Sequence, residues 1–236
     1  MYRYYIPFTL ASAALTAAQG YSSECTNVSL NNAWLIATCP TGKGDDITSS
    51  VFLNYKIGNN DGVLEWSENG QYRQSCSNCI LSDSATLQCE CRTAAIPRNR
   101  NTTLNLEEHI ANYEGHLLSN QTGPITTIPE NSATPVPTDL AVQIGLASNG
   151  DICERPGVTL GLNMPTDCYY LNLGPVIPWT AGITSRNEGW EIVAFSDSAC
   201  TSEPVYTFTI DDNDQCVVFE PDALAFSVKP LWNADY

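Results

Sequence analysis

One phrase of thirteen residues is written into this chain twice. It runs first as Phe52-Leu53-Asn54-Tyr55-Lys56-Ile57-Gly58-Asn59-Asn60-Asp61-Gly62-Val63-Leu64. It returns as Asn105-Leu106-Glu107-Glu108-His109-Ile110-Ala111-Asn112-Tyr113-Glu114-Gly115-His116-Leu117. Leu, Ile, Asn, an acid, Gly and Leu recur at an offset of 53. The cysteines keep the same interval: Cys25 and Cys39 precede the first copy, Cys76 and Cys91 the second, at offsets of 51 and 52. A duplicated unit fixes the architecture before any local propensity is considered.

Each copy reads as a short ordered motif. Leu53 and Ile57 are four apart, as are Leu106 and Ile110, which sets both on one face of a helical turn. Asn-Asn-Asp-Gly and Asn-Tyr-Glu-Gly then form reverse turns whose Gly can take positive φ. Val63-Leu64-Glu65-Trp66 reads as a strand. Upstream, 25–39 and 76–91 read as hairpins with tips at Asn31-Asn32-Ala33 and Asp83-Ser84. In antiparallel pairs those tips set Cys25 against Cys39 and Cys76 against Cys91, so local bridges are sterically reasonable. Cys79 and Cys89 then oppose one another a step nearer the tip, provided the strand between Cys76 and Cys79 holds a bulge. Each short-loop bridge contributes roughly 2–4 kcal/mol. Alternating Trp34, Ile36 and Thr38, with Gly- and Asn-rich turns, argue an all-β domain.

Residues 21–120 resemble the cyanovirin-N family of lectins. The resemblance rests on Leu-Asn-x-x-Ile-x-Asn-x-Asp-Gly-x-Leu-x-Trp at 53–66, on Leu-Glu-Glu-His-Ile-Ala-Asn-Tyr-Glu-Gly at 106–115, and on cysteines 25, 39, 76 and 91. It implies the same Cys25–Cys39 and Cys76–Cys91 pairing and one pseudo-symmetric body of two interlocked repeats, about 21–70 and 71–120. Leu53, Ile57, Trp66, Leu106 and Ile110 then belong to its core. It also implies two sites for mannose-rich glycans, one on each half, with no metal and no other cofactor. Carried over residue by residue, one site comprises Ser22, Ser23 and Glu24, then Thr41 and Gly42, then Asn112 and Glu114. Pro40 stands where that site expects a charged group. The other comprises Gly58, then Gln71, Gln74 and Ser75, then Arg92, Thr93 and Ala94. There Gly58 replaces an acid, Ala94 replaces an Arg, and the loop Ser67–Gln71 is one residue longer.

The chemistry of the chain fits binding better than catalysis. It holds two histidines, His109 and His116, and no Gly-x-Ser-x-Gly, His-Glu-x-x-His or phosphate-binding glycine loop. The pair Glu107 and Glu108 faces Asn54 and Tyr55 in the other repeat, so it reads as an acidic first helical turn. His109 corresponds to Lys56 and reads as a surface or capping residue. Sugars are held by short polar side chains and backbone groups that meet vicinal hydroxyls with paired hydrogen bonds, and such residues crowd these loops. With 10 basic against 26 acidic residues, a net charge of −16 argues against nucleic acid and anionic membranes as partners.

The remaining signals concern compartment and the second half. Arg3 followed by the apolar run Ile6–Ala18 reads as a secretory signal peptide over 1–20, too short to span a bilayer. Ten cysteines, six in 21–120 and four in 139–236, then imply an oxidised framework in a secreted or cell-wall protein. Asn27, Asn101 and Asn120 head glycosylation sequons. Four prolines with Thr and Ser over 121–138 mark an extended linker. Residues 139–236 read as a second β domain of unknown role, with strands at Trp190–Phe195, Val205–Ile210, Cys216–Phe219 and Leu224–Val228. Asp211-Asp212-Asn213-Asp214 reads as a hairpin turn, with a Ca²⁺ loop as the sharper alternative. Cys153–Cys168 and Cys200–Cys216 are the most local of three pairings, although Cys200 then has to reach from an adjacent strand. Trp179, Trp190 and Trp232 read as core or edge packing. The expected function is a secreted lectin for mannose-type glycans and not an enzyme; the alternative is a structural or interaction protein of the cell surface or wall that has lost glycan binding.

Overall fold

A computed structural model describes residues 20–119, 127–148, 157–171, 179–220 and 222–236. The signal-peptide expectation, Asn120 and Cys153 lie outside the described residues. Each repeat of the first body builds the same three parts. The first has an antiparallel sheet of Thr26–Asn31, Trp34–Pro40 and Asp46–Phe52, a 3-10 turn at Leu53–Tyr55, and a hairpin of Ile57–Asn60 with Val63–Trp66. The second has Cys76–Ser82, Thr86–Arg92 and Asn99–Asn105, a turn at Leu106–Glu108, and a hairpin of Ile110–Tyr113 with His116–Ser119. Asp61 and Gly62 lead one hairpin turn at φ 45° and 86°, Glu114 and Gly115 the other at 49° and 94°. Only glycine takes the second of these positions without strain.

The repeats interlock because the hairpin of each sits on the sheet of the other. Leu117 N donates to Ser49 Oγ at 2.8 Å, and Leu64 N donates to Thr102 Oγ1 at 3.1 Å. Ser49 and Thr102 are buried and 53 residues apart, so the docking is also duplicated. Leu53, Ile57, Leu106 and Ile110 are fully covered in one cluster with Leu35, Val51, Leu87 and Leu117. Tyr21 and Tyr72, each four residues before a cysteine, are buried in it too. Trp66 is only half-buried and stacks on His109, centroids 4.4 Å apart. His109 is partly covered and caps the turn Leu106–Glu108, its N donating to Leu106 O at 3.0 Å; burial pushes its pKa below the usual 6.5, against the opposing pull of Glu108.

The three bridges of this body are Cys25–Cys39, Cys76–Cys91 and Cys79–Cys89. The expected bulge falls between Ser77 and Ile80, with Asn78 at φ 52°. In the second half Cys168 bonds Cys200, which overturns both local pairings, and Cys216 is disulfide-bonded as well. The expectation rested on Asp211–Asp214 turning a hairpin, with Cys200 reaching Cys216 from an adjacent strand. Pro204–Phe208 and Cys216–Val218 lie instead in different sheets. Asp211–Asp214 is thus a crossover turn and not a hairpin. Its side chains close it internally: Asp212 accepts from Tyr206 Oη at 2.7 Å and Thr209 N at 2.7 Å, and Asn213 Nδ2 donates to Asn187 O at 2.9 Å.

The second body has two four-stranded sheets around one core. One runs in the order Val158–Leu162, Val142–Ser148, Trp179–Ile183, Cys216–Val218. The other runs Thr166–Tyr170, Ala225–Pro230, Trp190–Phe195, Pro204–Phe208. Trp190, Ile192 and Ala194 alternate inward along their strand, as a sheet with one covered face requires. Trp190 and Trp232 are core.

That core does not stop at the second body. Ala33, Trp34 and Phe52 of the first body belong to it. Trp34 is fully buried, with its ring 4.7 Å from Phe52, 6.1 Å from Trp190 and 5.3 Å from Trp232. Trp232 Nε1 donates to Ser50 Oγ at 2.9 Å, and Ala234–Asp235 adds a parallel strand beside Ser50 and Val51. Lys56 pairs with Asp235 at 2.9 Å, both side chains about four-fifths covered. The described part of the linker, 127–138, forms no named strand and docks along the same seam. Ser132 N donates to Asn233 Oδ1 at 2.8 Å, and Val136 packs on the shared core. Trp34→Ala is expected to cost about 3–5 kcal/mol. Denaturant unfolding followed by fluorescence should show the losses in both bodies; a shift confined to the first would contradict the shared core.

Candidate functional site

The two halves of the first body carry one device built twice around an asparagine. Asn112 Nδ2 donates to Glu24 Oε2 at 3.0 Å and to Pro40 O at 3.1 Å, while its Oδ1 accepts from Gly115 N at 2.8 Å. Asn59 Nδ2 donates to Ser75 Oγ at 2.9 Å and to Arg92 O at 2.9 Å, while its Oδ1 accepts from Gly62 N at 2.7 Å. Each asparagine therefore ties three segments together: the residue before the first hairpin cysteine, the residue after the second, and the glycine of its own turn. An amide suits this post because it donates twice and accepts at one side chain.

Around the Asn112 clamp, Glu24, Thr41, Asn112 and Glu114 come together. Gly115 presses on the loop so closely that a Cβ there would lie 2.3 Å from Ile47 and 3.2 Å from Thr41. Thr41 Oγ1 accepts from Lys43 N at 3.1 Å, and Lys43 Nζ pairs with Glu114 at 2.6 Å. Lys43 thus brings a charged group to the loop that begins at Pro40. Their side chains are 74% and 47% exposed, so the pair is worth at most about 1 kcal/mol and yields readily to a ligand. Ser22 and Ser23 are engaged elsewhere: Ser22 N and Oγ donate to Glu107, and Ser23 Oγ donates to Gly20 O at 3.0 Å. Glu107 consequently caps the helical turn Tyr21–Glu24, as its counterpart Asn54 does for Arg73 N at 3.1 Å.

Around the Asn59 clamp, Ser75, Arg92 and Thr93 come together. Thr93 Oγ1 donates to Asp61 Oδ1 at 2.7 Å, and Ala94 N donates to it at 2.6 Å. Arg100 lies beside Gly62 and favours the Asp61 carboxylate. Gln71 bridges to Gly58, next to Asn59, and Gln74 Nε2 donates to Gln71 Oε1. Gly58 is buried beneath Gly70, so the lengthened loop covers the position where the resemblance expects an acid. Asn59, Asp61 and Arg100 were missed from sequence, although the 53-residue offset points from Asn112 and Glu114 to the first two. Lys43 had no such signal, because its partner Glu114 lies 71 residues away in the sequence.

Comparison with known proteins finds a likeness over the first half of the chain. The CVNH domain model matches residues 21–118. Similar solved structures include the Gibberella zeae CVNH, 29% identical, covering 43% of this chain and 97% of that one with a TM-score of 0.39. A microvirin–mannobiose complex is 23% identical over 43% of this chain and 98% of that one, with a TM-score of 0.38. A MoCVNH3 variant in complex with (N-GlcNAc)4 is 19% identical over 44% and 98%, with a TM-score of 0.41. The likeness in each case covers less than half of the present chain.

The Asp61 turn gives a pH test. The Ala94 amide, then Thr93, hold its carboxyl below the usual 3.8, a depressed folded value. Its contribution is therefore present above pH 3.8 and lost as pH falls through the folded pKa. The Ala94 amide resonance should titrate below about pH 4, and Asp61→Asn, which keeps the acceptor, should abolish that step. A flat Ala94 profile in the native protein would overturn the contact.

Proposed function

We propose that this chain is an extracellular lectin that binds mannose-type glycans through its CVNH segment by direct hydrogen bonding, without covalent chemistry. The observation that supports the reading is the duplicated clamp. It holds a partly buried hydroxyl, an acid and a cation at one loop end of each half: Thr41, Glu114 and Lys43 in one, Thr93, Asp61 and Arg92 in the other. Donors and acceptors preset a few ångströms apart suit vicinal hydroxyls, and their rigidity lowers the ordering cost of binding. The Asn112 clamp is the stronger candidate of the two, because the loop over Gly58 reshapes the other. The oxidised cysteines and the exposed sequon positions Asn27 and Asn101 fit an exported glycoprotein.

A glycan array with the full chain tests the reading. Mannose-terminated glycans should give the main response, with N-acetylglucosamine oligomers in the same panel. Asn112→Ala should weaken binding about tenfold, the equivalent of roughly one and a half hydrogen bonds. A surface silent to every saccharide would instead favour an interaction protein that kept the scaffold alone.

A further inference from the structure

A cleft of about 500 Å³ opens at the seam between the two bodies. That volume lies within the ~300–1,000 Å³ of ordinary ligand sites. Neither body makes it alone. Tyr55 and Trp66 line it from the first body and Tyr236 from the second, giving three partly exposed rings. Between them stand two exposed carboxylates, Glu68 and Asp167, and two amides, Asn69 and Gln71. Gln71, which the resemblance assigns to the second glycan site, also lines this cleft.

The walls are held from behind. Tyr55 Oη donates to Pro165 O at 2.6 Å across the seam. The loop is pinned by three backbone bonds: Ser67 N to Lys56 O at 2.9 Å, Asn69 N to Tyr55 O at 2.7 Å, and Gln71 N to Asn54 O at 2.8 Å. Gly70 lies flat on the chain beneath, where a Cβ would come 2.3 Å from the Ile57 carbonyl carbon. Asn69 and Gln71, both at positive φ, flank that contact. The indole of Trp66 is backed by His109 with the rings 6° from parallel. The surface is therefore formed before any ligand arrives, which removes most of the ordering cost.

Rings that meet C–H faces, beside carboxylates and amides that meet hydroxyls, are the complement of a saccharide. Charge narrows the class. Lys56 is the cation in the lining, and Asp235 already neutralises it at 2.9 Å. Glu68 and Asp167 leave the cleft negative, which disfavours uronic, sulfated and phosphorylated sugars. We propose that the seam cleft is a third saccharide site, selective for neutral or amine-bearing oligosaccharides, and that it works independently of both asparagine clamps.

The test uses the full chain, titrated by NMR and calorimetry with mannobiose, chitotetraose, a glucosamine tetramer and tetragalacturonate. At least one neutral or amine-bearing probe should shift the Trp66 indole and Tyr236 resonances. Asp167→Ala and Tyr236→Ala, both at exposed positions, should each weaken that response tenfold or more. Asn59→Ala and Asn112→Ala should leave it in place. Shifts confined to the surroundings of Asn59 and Asn112 would overturn the cleft and leave the lectin reading standing; shifts confined to the cleft would do the reverse. Tetragalacturonate bound as tightly as the neutral probes would also overturn the proposal, and so would silence of Trp66 and Tyr236 toward every probe.

Discussion

The first body depends on two buried hydroxyls, Ser49 and Thr102, each of which receives a backbone amide from the opposite repeat. A hairpin of four-residue strands cannot stand alone in water. Docked on the sheet of its partner, it covers Leu53, Ile57, Leu106 and Ile110 and satisfies its own backbone. Interlocking follows from this exchange, and so do the clamps. Asn59 and Asn112 sit in the exchanged hairpins and reach segments of the sheet on which each is seated.

The second body attaches where the duplication breaks its symmetry. Trp34, Phe52 and Tyr55 occupy positions whose counterparts are Thr86, Asn105 and Glu108. The three aromatic residues face the second body, directly or through the shared core, whereas Asn105 and Glu108 are exposed. One repeat therefore kept a polar outer surface, and the other exchanged it for rings. The result is a continuous aromatic core across a seam that the linker and the strand Ala234–Asp235 also cover. Burial of so many rings makes the seam resemble a domain interior more than a loose contact between neighbours.

Much of the first body was legible because its signals are local and doubled. Turn residues, hairpin tips and all three disulfides followed from spacing. The asymmetry of Trp34 and Phe52 was equally present in the sequence, but it takes meaning only once something is known to lie against it. The second body was poorly legible for a physical reason. Thr166–Tyr170 pairs with Ala225–Pro230, and Trp179–Ile183 lies between Val142–Ser148 and Cys216–Val218; these partners are distant in sequence, and nothing local fixes them. Cys168 and Cys200 are joined across 32 residues for the same reason. At the candidate sites the sequence supplied residue kinds and not their hydrogen-bond partners: Ser22, for example, donates to Glu107 from the other repeat.

The short strand Ala234–Asp235 has a consequence for how the molecule withstands proteolysis. It lies along the edge of Asp46–Phe52, where open backbone groups would otherwise recruit a foreign strand. A protease that cut within the second body would strip this cover together with the wall over Trp34 and Phe52. The fragment released would be adhesive, offering a bare sheet margin and a greasy aromatic face to whatever it met. Integrity of the distal half thus governs whether the proximal half stays dispersed.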